Sequence, residues 1–307
     1  MVTILGPTAT GKTALAARLA YELGGEVISA DSRQVYRGMD IGTGKDIGEY
    51  LVDGVAVPFH LIDIAEPGYE YNIFEYQQDF LKVYRDILER NRLPILCGGS
   101  GMYLEAVLKG YRLQKVMNEE ELASELQEKT DEELAGILKS AKTLHNITDF
   151  ENRARLLKAI LVARAEESSK PGSGSSPGQA APFPVIRSTV IGIAYPRDIQ
   201  MARIAERLDF RLEHGMITEV EELLRQGISP ERLMKYGLEY RYVTLFLTGG
   251  LTRAGMFFSL NIAIRQFAKR QMTWFRRMER QGMKIHWIDG RLPVENKIEQ
   301  IRFLIKR

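Results

Sequence analysis

Along the chain, short apolar runs alternate with stretches whose apolar residues recur every three or four positions. Residues 2–5 form a run suited to a buried strand, and residues 12–23 follow with helical spacing. The alternation repeats. Residues 27–30 and 59–63 read as the second and third strands, and 74–90 as a helix with Phe80, Leu81, Tyr84, Ile87 and Leu88 on one face. Residues 94–97 read as a fourth strand, and a glycine-rich turn at 98–101 leads into another helix. Strand and helix in alternation predict an α/β fold with a parallel sheet flanked by helices.

The pattern breaks at residue 111. Residues 117–140 are Glu- and Leu-rich and helical, and Thr148-Asp149-Phe150-Glu151 fits a capping box opening a helix to about 165. Residues 168–184 are a Ser/Gly/Pro stretch with no core-forming pattern. An apolar strand returns at 190–195, the fifth of the sheet, then a helix at 198–214, a basic helical segment at 262–284, a short strand at 285–288 and a closing helix at 294–305. This predicts a core made of 1–110 and 185–307, a helical insertion at 111–167 and a flexible linker at 168–184.

Composition narrows the class. Apolar residues make up 45% of 307, enough for a packed core. The single cysteine, Cys97, lies in an apolar run and reads as a buried structural thiol, so no internal disulfide forms. The four histidines show no metal-ligand spacing. No segment reaches the ~18 apolar residues of a membrane span, and the chain opens on a core strand, so a cytoplasmic protein is expected. Net charge is only +2, but residues 187–307 hold 22 Lys/Arg against 13 Asp/Glu while the first 186 residues carry −7. That asymmetry points to a polyanion-facing C-terminal part.

The chemistry begins at Gly6-Pro7-Thr8-Ala9-Thr10-Gly11-Lys12-Thr13, the pattern G-x-x-x-x-G-K-[ST] between strand and helix. Such a P-loop turns backbone N–H groups onto one anion. Its lysine adds a charge, and Thr13 offers a hydroxyl to Mg²⁺. The fold expected is a P-loop NTPase-like sheet with a helical insertion. Asp31 ends the second strand, at the sheet edge where ligands bind, and could face them or cap its own turn. Arg203, Arg207 and Arg211 form one helix stripe, either solvated or closing over a pyrophosphate as a clamp. Residues 236–241 read as a basic–aromatic loop. In 262–284, Arg265, Lys269, Arg270, Arg276, Arg277, Arg280 and Lys284 face a single acid, Glu279, with aromatics interleaved, which suits a phosphate backbone. No clear strand ends in the second-metal Asp of a motor ATPase; His60-Leu61-Ile62-Asp63 is nearest. A small-molecule kinase and a transferase acting on RNA both remain.

Five stretches resemble the tRNA dimethylallyltransferase (tRNA isopentenyl transferase) family, in its order. They are the P-loop; residues 29–36 with 38–43; Gly98-Gly99-Ser100-Gly101-Met102-Tyr103; Gly237-Leu238-Glu239-Tyr240-Arg241; and residues 265–276. The resemblance implies that the loop, Gly6 to Thr13, holds the diphosphate of dimethylallyl diphosphate, although the pattern alone would mark an ATP site. The acceptor it implies is the N6 amine of the adenosine 3′ of a tRNA anticodon. Asp31 matches the family's proton acceptor, Thr8 and Arg207 its diphosphate contacts, and Thr13 the Mg²⁺ site, with Lys12 stabilising the leaving group. The insertion is implied to grip the anticodon stem-loop. The tRNA-facing residues expected are Asp31, Ser32, Arg33, Gln34, Ser100, Arg153, Arg155, Lys158, Arg241, Arg270, Arg276 and Arg277.

Three positions depart from the family pattern. Ser100 replaces a usual threonine, Lys158 a common arginine, and Gly44 a usual alanine before Lys45, whose role is left open. No zinc-finger tail of the eukaryotic type is found, which favours a bacterial form, expected to be a monomer. The alternatives are a small-molecule kinase or adenylate isopentenyltransferase, and a non-catalytic RNA-binding module.

Overall fold

The computed structural model describes residues 1–111, 113, 126, 128–141, 153, 156–157, 159–161 and 183–306. Its centre is a six-stranded sheet. β1 (Val2–Leu5), β2 (Gly25–Ala30), β5 (Phe59–His60), β6 (Leu93–Gly98), β7 (Thr189–Ala194) and β8 (Ile285–Asp289) pair in the order β5-β2-β6-β1-β7-β8, every pairing parallel. Strands buried on both faces carry near-continuous apolar runs rather than alternation, and β1, β2 and β6 do so except at the buried polar residues Thr3, Glu26 and Ser29. The register sets Ala30, Gly98, Leu5 and Gly192 side by side, so the turns that follow β2, β6 and β1 leave the sheet at one level.

Helix α1 (Lys12–Leu23) packs Leu15, Ala16 and Leu19 on one face of the sheet and stops at Gly24, whose left-handed backbone closes the last turn onto Ala20. Helix α2 (Ile73–Glu89) begins with a reciprocal capping box between Asn72 and Glu75. Helix α3 (Gly101–Leu108) follows β6. In the C-terminal part, α5 (Arg197–Glu213), α6 (Met216–Arg225), α7 (Pro230–Leu233), α8 (Leu238–Leu247) and α9 (Arg253–Arg280) enclose a second core with Ile204, Leu208, Met216, Leu233, Tyr240 and Leu260. Helix α10 (Val294–Ile305) returns Ile298 and Ile301 to the first core, under the sheet.

Three expectations change. The third strand ends at His60, because Leu61 and Asp63 take left-handed backbone that no strand continues. A single 3₁₀ turn, Ile47–Tyr50, and a small hairpin, β3 (Leu51–Val52) with β4 (Val55–Ala56), occupy a stretch with no apolar period to announce them. Residues 238–241 are the first turn of α8 rather than a loop. Among the described residues, no helix is long and apolar enough to cross a membrane.

The chain divides into two compact units, 1–110 with 185–307, and 111–184. In the second unit, α4 (Asp131–Ala141) presents Leu134 and Leu138 to Leu126, Leu156, Ile160 and Leu161. Residues 168–182 of the expected linker lie outside the described residues.

Candidate active site

The loop after β1 opens α1 without any side-chain cap and with no acid in the first turn. The positive end of the helix dipole and its leading N–H groups therefore face outward, an arrangement that favours an anion. Gly11 caps the helix at φ 71°, and Ala9 also sits left-handed at φ 62°. Thr10 Oγ1 donates to Pro7 O at 2.9 Å, and Lys12 Nζ lies 3.4 Å from the same carbonyl. Burial lowers the pKa of the Lys12 ammonium; Arg207 adds to that, while Cys97, Asp31 and Glu49 oppose it. Cys97 is buried, donates weakly to Lys12 O at 3.5 Å and is pushed up to about 12 by burial, which leaves it an inert thiol at neutral pH.

The arginine stripe of α5 lies against this loop. Arg203 Nε donates to Ala9 O at 2.9 Å, Arg207 Nη1 reaches Thr8 Oγ1 at 3.5 Å, and Gln200 Nε2 reaches Thr8 O at 3.4 Å. The stripe is therefore not a freely solvated face: Arg203 engages the loop, Arg207 reaches it, and Arg211 is nearly buried. Arg207 and Arg211 share the carboxylate of Asp46, which neither motif nor spacing singled out.

The segment bearing Asp46 is pinned on both sides. Lys45, fully buried in its side chain, donates to Tyr36 O and to the carboxylates of Asp40 and Asp63. A buried ammonium costs several kcal/mol unless paired, and here all three of its donors are used. The open role of Lys45 is thus that of an internal anchor. Glu219, on α6, accepts the N–H groups of Asp40, Ile41 and Gly42 at 2.9, 2.7 and 3.0 Å and the Tyr240 hydroxyl at 2.6 Å. Sequence reading missed Glu219. Its signal was a carboxylate flanking the apolar stripe Met216, Val220 and Leu223.

Asp31 stands one residue beyond β2 and is half-buried. Its Oδ1 accepts Arg33 N–H at 2.9 Å, so it does cap its turn, yet Oδ2 takes no hydrogen bond among the described residues. Ser100 Oγ accepts the N–H of Ser32 at 3.1 Å, tying the turns after β2 and β6 together. Gln34 accepts from Ser29 Oγ and donates to Gly44 O, both at 3.0 Å, and so braces the loop from within. Arg33 is exposed.

Gln271, on α9, was also missed. Its Oε1 accepts Thr8 N–H at 2.9 Å and its Nε2 donates to Gly99 O at 2.8 Å. One side chain thus joins the loops after β1 and β6. Its signal was an uncharged polar residue at buried spacing within Ile264, Ala268, Phe275 and Met278. On the same helix Arg270 and Arg276 are exposed, whereas Arg277 pairs with the buried Glu105 at 2.6 Å and lies over the Trp274 ring at 4.0 Å. Arg241 is exposed on α8. In the second unit, Arg153 bonds Asp131 and Lys129 O; Arg155 and Lys158 lie outside the described residues.

Residues 34–278 match the family described as IPP transferase, and residues 1–54 that described as isopentenyl transferase. The tRNA dimethylallyltransferase 2 of Bacteroides fragilis is 52% identical over 306 residues, with 100% of this chain and 98% of that protein covered. The tRNA dimethylallyltransferase 1 of Parabacteroides distasonis is 53% identical, with 97% and 95% covered. Among solved structures, the full-length tRNA isopentenylpyrophosphate transferase of Bacillus halodurans superposes with a TM-score of 0.70 at 31% identity, covering 99% of this chain and 95% of that one. A eukaryotic dimethylallyltransferase acting on tRNA shares the fold, with a TM-score of 0.73 at 21% identity over 94% and 73% of the two chains. The loop between β1 and α1, the carboxylate after β2 and the match over most of the chain agree: the chain belongs to the IPP transferase family.

Proposed function

We propose that this chain transfers a dimethylallyl group from dimethylallyl diphosphate to the N6 amine of the adenosine 3′ of the anticodon in tRNA, releasing diphosphate. One observation carries the reading most. The register that aligns Ala30 with Gly98 and Leu5 sets Asp31 beside the anion cradle rather than in it, with Oδ2 unengaged. A carboxylate so placed suits deprotonation of a nucleophile attacking a group whose leaving anion the cradle holds.

The chemistry follows from that division. The N6 lone pair is delocalised into the adenine ring, so the amine attacks weakly. As the N6–C1 bond forms and the allylic C1–O bond breaks, the amine proton passes to Asp31 and the bonding pair leaves on the diphosphate oxygen. Charge grows on that oxygen, so Lys12, Arg207 and the α1 N-terminus stabilise the transition state more than the bound donor. Thr8 helps to seat the diphosphate through its hydroxyl, which Arg207 already approaches. The base must leave its stack to reach Asp31.

Mg²⁺ fits the residues present. Among the described residues no cluster of three or more His, Cys, Asp or Glu could hold a metal. Mg²⁺ needs few protein ligands, so at this loop it would be held by the Thr13 hydroxyl. When bound, it supplies further charge neutralisation on the diphosphate. Ser32, Arg33, Ser100, Arg241, Arg270 and Arg276 would meet the RNA, and the unit 111–184, with Arg153, Arg155 and Lys158, would grip the anticodon stem-loop. Gln34 would act behind that surface, its side chain being held internally, while Arg277, paired with Glu105 but 40% exposed in its side chain, would border the RNA. The same reading expects a cytoplasmic monomer.

The test is direct. Protein, Mg²⁺, labelled dimethylallyl diphosphate and an unmodified tRNA should give label on the RNA. Label on free adenylate instead, or transfer of an ATP γ-phosphate to a small molecule, would replace this reading with one of its alternatives.

A further inference from the structure

The segment Gly44-Lys45-Asp46 lies directly on the Arg207–Arg211 pair. At Gly44, φ is +73°, and a Cβ would stand 2.6 Å from Arg211 Nη2 and 3.1 Å from Arg207 Nη2. Asp46 Oδ2 takes Arg207 Nη2, and Arg211 Nη2 lies 3.2 Å from each carboxylate oxygen. Arg211 is nearly buried, at 9% side-chain exposure, so two guanidinium charges meet in a poorly hydrated place with one carboxylate between them. The same Arg207 reaches the P-loop hydroxyl of Thr8. Whatever anion fills the cradle must therefore contend for a guanidinium that Asp46 already holds.

Asp46 is built to yield. Its neighbours are fixed, by the Lys45 cage and the Gln34–Gly44 hydrogen bond, but its own side chain is 40% exposed and, among the described residues, its carboxylate bonds Arg207 and Arg211 alone. Asp46 stands in the wall of a cavity of about 320 Å³ that Arg207, Arg211, Asp40, Phe210 and His214 also line. We propose that Asp46 is an exchangeable surrogate for the donor's diphosphate: it holds Arg207 and Arg211 in the donor-free enzyme, gives them up to the incoming diphosphate, and so sets donor affinity. This rests on the reading of the cradle as the donor site.

Pyrophosphate with Mg²⁺, titrated calorimetrically into the intact protein, is the probe. Asp46→Asn and Asp46→Ser should bind it about tenfold more tightly than the parent, since the competing ion pair is gone. Lys12→Met should lose binding and so certify the cradle. Glu49→Gln separates exchange from simple repulsion, because Glu49 feels Arg207, Lys12 and Arg211 through space and bonds none of them. It should tighten binding by about threefold or less. In turnover, the Asp46 variants should lower the KM for donor and leave kcat within about twofold. Unchanged or weaker pyrophosphate binding by both Asp46 variants overturns the proposal and leaves the cradle intact. Equal tightening by Glu49→Gln also overturns it, in favour of charge repulsion alone. If the parent protein binds no pyrophosphate, the donor-site reading itself fails and the surrogate falls with it.

Discussion

Asp31 shows how one carboxylate serves two ends. Its Oδ1 closes the turn that follows β2, which fixes the side-chain rotamer, and Oδ2 is left for chemistry. Asp31→Asn keeps the turn acceptor and removes the base. It should lower single-turnover prenyl transfer about 10²–10⁴-fold while tRNA affinity changes by less than about twofold, measured by rapid quench and filter binding. A matching loss of tRNA affinity would make Asp31 a structural residue only. Gly44 repays the same attention. The family pattern implied alanine there, and the packed guanidiniums show why this chain carries glycine. The neighbours of Gly44 could not be read from residue order, because Arg207 and Arg211 come from a helix far along the chain.

At the level of elements, α9 has two characters along 28 residues. A stripe from Met256 to Met278 packs inward, and Gln271 on that stripe links two loops of the site. The opposite side carries Arg270 and Arg276, both exposed. The basic segment was legible as a helix, and its charge as a polyanion face. Its seven cations were not separable by sequence alone: Arg277, though 40% exposed in its side chain, pairs with Glu105, which is 1% exposed and also holds Lys109. Neutralising Arg270 and Arg276 together should therefore lower the slope of log K against log salt for tRNA by about 1.5–2, whereas wild-type pyrophosphate affinity should persist. Filter binding across a salt series measures it; an unaltered slope removes both residues from the RNA face.

For the whole molecule, the sheet separates chemistry from support. The site gathers at the C-terminal ends of the strands, while the opposite edge holds Glu26, 1% exposed, bonded to both terminal nitrogens of Arg90 and to His60 Nε2 at 2.7 Å. Burial pushes the Glu26 pKa up, but the hydrogen bonds and charges of Arg90 and His60 outweigh it and hold the group below its ordinary 4.5. A carboxyl depressed in the folded state stabilises the fold above its unfolded value and loses that contribution as pH falls through the folded value. Glu26→Gln should thus cost about 1–2 kcal/mol at pH 7, a few degrees in Tm, because its partners stay partly hydrated. The gap between the two proteins should narrow below about pH 4.5, by thermal melts at several pH values. A gap that widens in acid would contradict the assignment.

The order of residues was enough for the elements that repeat a regular local spacing. The P-loop between strand and helix, the parallel α/β alternation and the basic C-terminal helix are local patterns, written in spacing, propensity and charge. The Asp46 clasp on Arg207 and Arg211, the Gln271 tether and the Glu219 cap join residues 161 to 263 positions apart. No local period encodes such contacts; they exist only once parallel strands bring distant loops to one edge, where buried donors and acceptors must find partners from another part of the chain.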